Sequence, residues 1–292
     1  MIRSLIFLPG NTPNMLVNGD TLGADALILD LEDAVAPAQK DSARILVRNY
    51  LRAQPQRHTT IVVRINATDT AYWQKDLAAV LPEKPDIIMP TKVSGGAMIR
   101  EISAYMETLE KAQGFPVNTI KLMPLLETAL GVEKAFEIAT SSERVMGFAL
   151  GAEDLTADLQ CRRTKEGKEI LYARQRLICA ARAAGIDVFD TPFTDVEDLE
   201  GLQTDATFAR SLGFTGKLVI SPRHVDTVNT VFSPTQEEIQ YARDVLACIA
   251  RAKEEGKGVV SLHGKMIDAP IVARAQQVCE AAAEIYGGSY DG

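Results

Sequence analysis

KLMPLLETALGVEKA, Lys121 to Ala135, decides the fold. Its apolar run from Leu122 to Leu126 carries a proline and no polar alternation, as a strand buried on both faces does. One carboxylate, Glu127, ends the run. Ala129, Val132, Ala135 and Phe136 then recur at helical spacing, so a strand is expected to deliver an acid at its exit and turn at once into a helix. VMGFALGAEDLTAD, Val145 to Asp158, repeats the design with Glu153 and Asp154 as its first acids. Ligands of parallel α/β proteins bind at the C-terminal ends of the strands. Two acids on successive strand ends can share one divalent cation, and Mg²⁺ is commonly held by one or two carboxylates with water and substrate oxygens completing its shell. Asp154 is preferred over Glu153 as the second ligand, being the shorter acid one step further into the turn.

The same reading extends along the chain. Eight short apolar runs stand in order: Ser4–Leu8, Ala26–Leu31, Thr60–Ile65, Asp86–Pro90, Leu122–Leu126, Val145–Leu150, Asp187–Thr191 and Lys217–Ser221. Helical periodicity separates them, clearest over Ala97–Ala112, Glu169–Ala184 and Leu199–Leu212, with Gly185 and Gly213 as stop signals. Eight strand–helix units close into an α/β (βα)8 TIM barrel more naturally than they form an open sheet. An open doubly wound sheet usually carries a glycine fingerprint after its first strand, and here that turn reads PGNTPNM. The barrel is assigned to residues 1–233. Residues 234–292 form a helical extension: one helix over Pro234–Glu255, a glycine-rich segment Gly256–Pro270 with no strand left to pair with it, and a last helix over Ile271–Tyr286. The glycine-rich segment is expected to be a lid or to pack on a neighbouring subunit.

Composition narrows the function. A net charge of −8 argues against a nucleic-acid partner, which needs concentrated positive charge. No apolar run is long enough to span a membrane, and no signal peptide is seen, so a cytoplasmic protein is expected. Cys161, Cys179, Cys248 and Cys279 are widely spaced, with no CxxC pair to clamp a metal, and read as reduced thiols.

Polar residues gather where the strands end: Asp30, Glu32, Asp33, Arg64, Lys92, Glu127, Asp154 and Arg223. Glu127 and Asp154 could equally cap the helices that follow. Arg64 lies inside the apolar strand VVRIN, where a guanidinium needs an anion, either a substrate carboxylate or Glu32 or Asp33 next door. Crowding among Asp30, Glu32 and Asp33 could be relieved by Lys40 and Arg44. His58 and His224 read as surface or capping residues and His263 as a solvated loop histidine. Asp268, before Ala-Pro, reads as an N-cap of the last helix.

With these residues in view, the chain resembles the citrate lyase beta-subunit family, which includes citramalyl-CoA and malyl-CoA lyases. The resemblance runs nearly end to end through RSLIFLPGNTPNM, LILDLEDAV, VVRINA, LLETALGV, GAEDLTADL, RRTKEGKEILYARQ, AARAAGIDVFDTPFTD, LGFTGKLVISPRHV, FSPTQEEI and GVVSLHGKMIDAP. It departs at His263, where the family often has asparagine, and at Ser221-Pro222-Arg223, where it has Asn-Pro-Arg. The resemblance implies a barrel, assembled as a trimer or hexamer, with Mg²⁺ on Glu127 and Asp154. It further implies that Arg64 binds the substrate carboxylate, and that Asp268 of a neighbouring subunit's lid is the catalytic acid in place of its capping role. The substrate is then an acyl-CoA or acyl-carrier-protein thioester (citryl, citramalyl or malyl) cleaved to an acetyl thioester and a 2-keto acid. Glu32 and Asp33 would orient Arg64 and metal-bound water. The turn Pro9–Gly10, with Arg3 nearby, is the candidate for the pantetheine or phosphates. Two other functions fit the same chain: an aldolase on free 2-keto or hydroxy acids, and a non-catalytic subunit that docks a carrier protein.

Overall fold

The structure, a computed structural model, describes residues 1–54, 57–254, 260–262 and 264–287. Strands and helices alternate: β1 (Ser4–Pro9), α1 (Pro13–Val17), β2 (Ala26–Asp30), α2 (Lys40–Ala53), β3 (Thr60–Ile65), α3 (Trp73–Val80), β4 (Ile87–Pro90) and α4 (Gly96–Gln113). Then follow β5 (Lys121–Leu122), β6 (Leu125–Leu126), α5 (Ala129–Glu133), α6 (Ala135–Ala139), β7 (Gly147–Leu150), α7 (Ala152–Asp158), α8 (Leu171–Ala184), β8 (Asp187–Asp190), α9 (Leu199–Leu212), β9 (Gly216–Val219) and α10 (Val225–Phe232).

The sheet is parallel throughout, in the order β5-β4-β3-β2-β1-β9-β8-β7-β6. Its two ends are consecutive pieces of one extended segment. Pro124 has no N–H to give to a ladder, so it interrupts that segment. Its carbonyl still accepts from Ala149 N at 3.0 Å, while Met123 N donates to Ile88 O at 2.9 Å on the other side. β5 and β6 therefore count as one strand, and the sheet closes on itself as the eight-stranded barrel expected from the sequence. All eight apolar runs are strands. The helix after Glu127 is broken at Lys134 into α5 and α6.

Strand side chains alternate between the two faces. Leu5, Ala26, Ile28, Val62, Met89, Met123, Leu125, Ala149, Phe189 and Leu218 pack as one apolar cluster. Their parity is that of the barrel interior. The opposite parity carries Asp190 and Lys217, which face the helices instead. There Lys217 Nζ donates to Asp190 and to Asp205 of α9, each at 2.6 Å, and Arg174 of α8 donates to the same two acids at 2.7–2.9 Å. Arg174, Asp190 and Lys217 are fully buried and Asp205 nearly so, which makes this a charge-balanced tetrad sealed between sheet and helices.

The chain divides into two compact units: Ile2–Asn229, which holds the barrel, and Thr230–Gly292 with Met1. The second unit contains α11 (Gln236–Glu254), β10 (Val260–Leu262), β11 (Lys265–Ile267) and α12 (Ala269–Tyr286). The segment expected to lack a strand partner supplies its own: β10 and β11 pair antiparallel, with Gly264 at φ +76° in the turn. Ala242, Val245, Ile267, Ala275 and Cys279 form this unit's core.

Candidate functional site

Inward parity continues past the apolar layer. Two residues beyond Ile28, Val62, Leu125, Ala149, Phe189 and Leu218 stand Asp30, Arg64, Glu127, Gly151, Thr191 and Ile220, and all six line one cavity of about 420 Å³. Phe7, Asp33, Ala34, Glu153 and Asp154 also reach it. The C-terminal mouth of the barrel is thus a pocket with apolar walls and a charged floor.

Arg64, only 9% exposed, is anchored chiefly by Asp30: Nε and Nη2 donate to the two Asp30 oxygens at 2.7 and 2.6 Å. This fork fixes the guanidinium plane. Nη1 faces Glu32 at 3.3 Å and Asp33 at 3.8 Å, and the Phe7 ring lies 4.8 Å from the guanidinium carbon. Burial alone would weaken the cation, but hydrogen bonds and charge from Asp30 more than offset it and hold Arg64 protonated. The sequence suggested Glu32 or Asp33 as its partner. Both do face it, but the register sets Asp30 directly beside Arg64, which makes Asp30 the principal anchor.

Glu127 does not cap a helix. Thr128 takes that task, its hydroxyl accepting from Gly131 N at 3.1 Å. Glu127 is 3% exposed, and its Oε1 accepts from Lys92 N at 2.8 Å. The chain makes room for it at Gly151, where an added Cβ would meet Glu127 Cβ and Oε2 at 2.7 Å. Asp154 sits in the first turn of α7, close enough for its charge to act on Glu127. Glu153 also borders the cavity, but its side chain is largely exposed and lies 3.7 Å from Arg163. Glu32 is joined to Lys92 Nζ at 3.0 Å. Burial raises its carboxyl and the neighbouring Arg64 opposes that.

Two acids on one cavity are a donor set for a hard divalent cation. Among the described residues no cationic side chain is bonded to Glu127, and burial first, then the charges of Asp154 and Glu32, push its carboxyl up to about 8. Among the described residues no set of three carboxylates, histidines or cysteines could hold a metal. A cation here would therefore keep positions open for water and substrate oxygens, which suits Mg²⁺.

Other expectations are corrected. Arg3 is not near the Pro9–Gly10 turn. It precedes β1, at the opposite end of a six-residue strand, and its guanidinium grips Asp25 at 2.7 and 2.8 Å. Gly10 spends its N–H on Asp30 O at 2.8 Å, and a Cβ there would stand 2.5 Å from that oxygen, so the glycine serves strand packing. Arg44 leaves the acid cluster for Asp76, while Lys40 donates to the Leu31 and Glu32 carbonyls at 2.8 and 2.7 Å. Arg223 is exposed and pairs with Glu197. His224 is fully buried rather than on the surface, and burial lowers its pKa. Asp268 does cap α12, accepting from Ile271 N at 3.1 Å. His263 lies outside the described residues.

A family model for the HpcH/HpaI aldolase/citrate lyase group matches residues 3–222. The chain belongs to the HpcH/HpaI aldolase/citrate lyase family. The citrate lyase subunit beta of Leuconostoc mesenteroides subsp. cremoris is 44% identical over 280 residues, 96% of this chain and 93% of that one. A (3S)-malyl-CoA thioesterase of Cereibacter sphaeroides is 31% identical over 283 residues, 97% and 95% of the two chains. Among solved structures, protein CitE of Mycobacterium tuberculosis in complex with magnesium, acetoacetate and coenzyme A superposes with a TM-score of 0.77. It is 32% identical and covers 96% of this chain and 98% of its own. Members of the family with lyase and thioesterase names thus share this fold.

Proposed function

We propose that this chain is a Mg²⁺-dependent carbon–carbon lyase that cleaves a citryl thioester to an acetyl thioester and oxaloacetate. The observation that carries the reading is the convergence of Arg64, Glu127 and Asp154 on one cavity at the barrel mouth. Relatives named citrate lyase subunit beta, at 39–44% identity over 96% of the chain, favour citryl over malyl thioesters. The magnesium and coenzyme A bound in the M. tuberculosis relative support the cofactor and the thioester class.

Glu127 and Asp154 hold the cation, which when bound supplies Lewis-acid polarisation of the oxygens on the carbon that becomes the ketone. Arg64, locked by Asp30, offers its remaining edge to the substrate carboxylate, and a planar fork discriminates in favour of such a group. As the bond breaks, the hydroxyl that becomes the ketone gives up its proton to water in the open cavity, the electron pair of the broken bond moves to the acetyl thioester, and Asp268 from a second copy of the chain delivers a proton to that carbon. Glu32 and Asp33 orient Arg64. The homotrimer or hexamer implied by the motifs supplies the second copy.

Turnover should be followed with citryl, citramalyl and malyl thioesters, on coenzyme A and on an acyl carrier protein, with Mg²⁺ and with a chelator. The expected result is Mg²⁺-dependent release of oxaloacetate from the citryl thioester. Cleavage of free citrate by the chain alone would favour an aldolase, and inertness on every thioester would favour a carrier-docking subunit. Asp268 is tested by mixing. Glu127→Gln and Asp268→Asn proteins, each inactive alone, should regain about a quarter or less of wild-type activity when co-assembled, since sites that draw on two chains become intact by chance. No recovery would place the acid elsewhere.

The pH dependence has a definite sign. Glu127 holds its proton in the cation-free protein up to about 8. A ligand must be deprotonated, so Mg²⁺ binding at pH 7 releases about one proton, and affinity climbs roughly tenfold per pH unit before levelling near pH 8. Calorimetry in two buffers of different ionisation enthalpy measures the proton count.

A further inference from the structure

The loop after β4 places a lysine in a conformation lysine seldom adopts. Lys92 has φ +53°, in the left-handed region where a side chain is disfavoured unless its surroundings dictate it. Lys84, Asn118 and Gln160 also have positive φ, but Lys84 closes a 3-10 turn, Gln160 follows α7, and asparagine tolerates the region. Lys92 ends no helix. It is held at both ends within the site: its N–H donates to Glu127 Oε1 at 2.8 Å and its ammonium to Glu32 Oε1 at 3.0 Å. The other Glu32 oxygen accepts from Asp33 N at 2.9 Å and faces Arg64 Nη1 at 3.3 Å. One residue therefore ties the loops after β2, β4 and β6 together, and the left-handed turn lets its amide and its side chain serve different acids.

Charge balance gives the arrangement a purpose. Arg64 is approached by three carboxylates, Asp30, Glu32 and Asp33. One guanidinium among three carboxylates leaves a negative cluster, which would repel a further carboxylate. The Lys92 ammonium, bonded to Glu32, and the Lys40 ammonium, which feels Asp30, Glu32 and Asp33, bring the cations to three against three acids.

We propose that Lys92 is a positioning residue of the lyase site, an inference that rests on the function assigned above. Its amide aims Glu127 at the cation, and its ammonium neutralises Glu32 so that Arg64 keeps an edge for the substrate carboxylate. The two tasks separate by mutation. Lys92→Asn keeps a residue that accepts the left-handed backbone and deletes the cation. Lys92→Arg keeps the cation. Lys92→Val keeps neither, because a β-branched side chain opposes the left-handed turn.

Full-length wild type and variants are compared by Mn²⁺ binding, read by electron paramagnetic resonance, and by steady-state kinetics on the preferred thioester. Lys92→Asn should bind Mn²⁺ within about threefold of wild type, raise KM about tenfold with kcat nearly unchanged, and be rescued by Lys92→Arg; Lys92→Val should lose about tenfold or more in Mn²⁺ affinity. If Lys92→Val fails to fold by circular dichroism, the Asn and Arg pair decides through its split between KM and kcat. An unchanged KM in Lys92→Asn, or failure of Lys92→Arg to restore it, overturns the proposal. Wild type that binds Mn²⁺ beside indifferent variants removes the role of Lys92 alone, whereas wild type that binds no Mn²⁺ removes the lyase reading with it.

Discussion

Glu127→Gln is expected to reduce turnover by about a thousandfold or more, because a Lewis-acid cation contributes several kcal/mol to such a reaction and each 1.36 kcal/mol is a factor of ten. The substitution conserves shape. The amide oxygen of glutamine can still accept from Lys92 N, and Gly151 still leaves room for the side chain. What disappears is one of the two negative charges that would hold the proposed cation. The fold should not suffer, since a carboxyl pushed up to about 8 by burial is one whose charged form the folded state disfavours. Above pH 8 the cation-free variant should melt no lower than wild type, and added Mg²⁺ should raise the melting temperature of wild type but not of the variant. Asp154→Asn should behave alike in turnover. Activity of Glu127→Gln within tenfold of wild type would sink the cation reading.

Arg64→Met should cost both stability and function. It strands Asp30, which is 1% exposed, without the guanidinium that neutralises it, and an uncompensated buried charge destabilises by about 3–5 kcal/mol. Urea titration should show that loss as a lower midpoint with an unchanged slope. Replacing Asp30 by leucine in the same protein should recover much of the stability, because two apolar residues can substitute for a buried ion pair. Activity should not return with it. Arg64→Lys retains a charge but not the two-point grip on Asp30 at 2.7 and 2.6 Å, so it should fold and yet bind the keto-acid product at least about tenfold more weakly. A fully active Arg64→Lys would show that the arginine is architectural.

The legible parts of the fold were those that periodicity encodes. Apolar runs of strand length mark the barrel strands, and acids that follow two of them, Glu127 and Asp154, face one cavity, as does Glu153, which directly precedes Asp154. Asp30 shows the limit. Three acids crowd the end of β2; the period-two alternation, continued past Ile28, turns Asp30 inward as the last residue of the strand, whereas Glu32 and Asp33 lie beyond it, where that period no longer applies. That signal was present in the sequence, as the matching step from Val62 to Arg64 shows. Lys92 was legible as a polar residue at a strand end, but its conformation was not, because a left-handed lysine is imposed by what surrounds it and not by its own preference. The β10–β11 hairpin was obscured by glycines that read as loop, although Gly264 is the residue its turn requires. Arg3 misled in the opposite way: it lies close in sequence to a promising turn, yet its side chain is committed to Asp25.

The sealed tetrad of Arg174, Asp190, Lys217 and Asp205 lies directly behind this mouth, since Thr191 follows Asp190 and holds Ala152 N at 3.1 Å at the start of the turn bearing Asp154. Its two cations and two anions cancel only as a set. A lineage altering one member must pass through a poorly folding intermediate, while exchanging a cation–anion couple together keeps the ledger neutral. This wall should therefore drift by concerted replacements, and engineering aimed at new keto acids has more freedom on the apolar side of the cavity, at Phe7, Leu218 and Ile220.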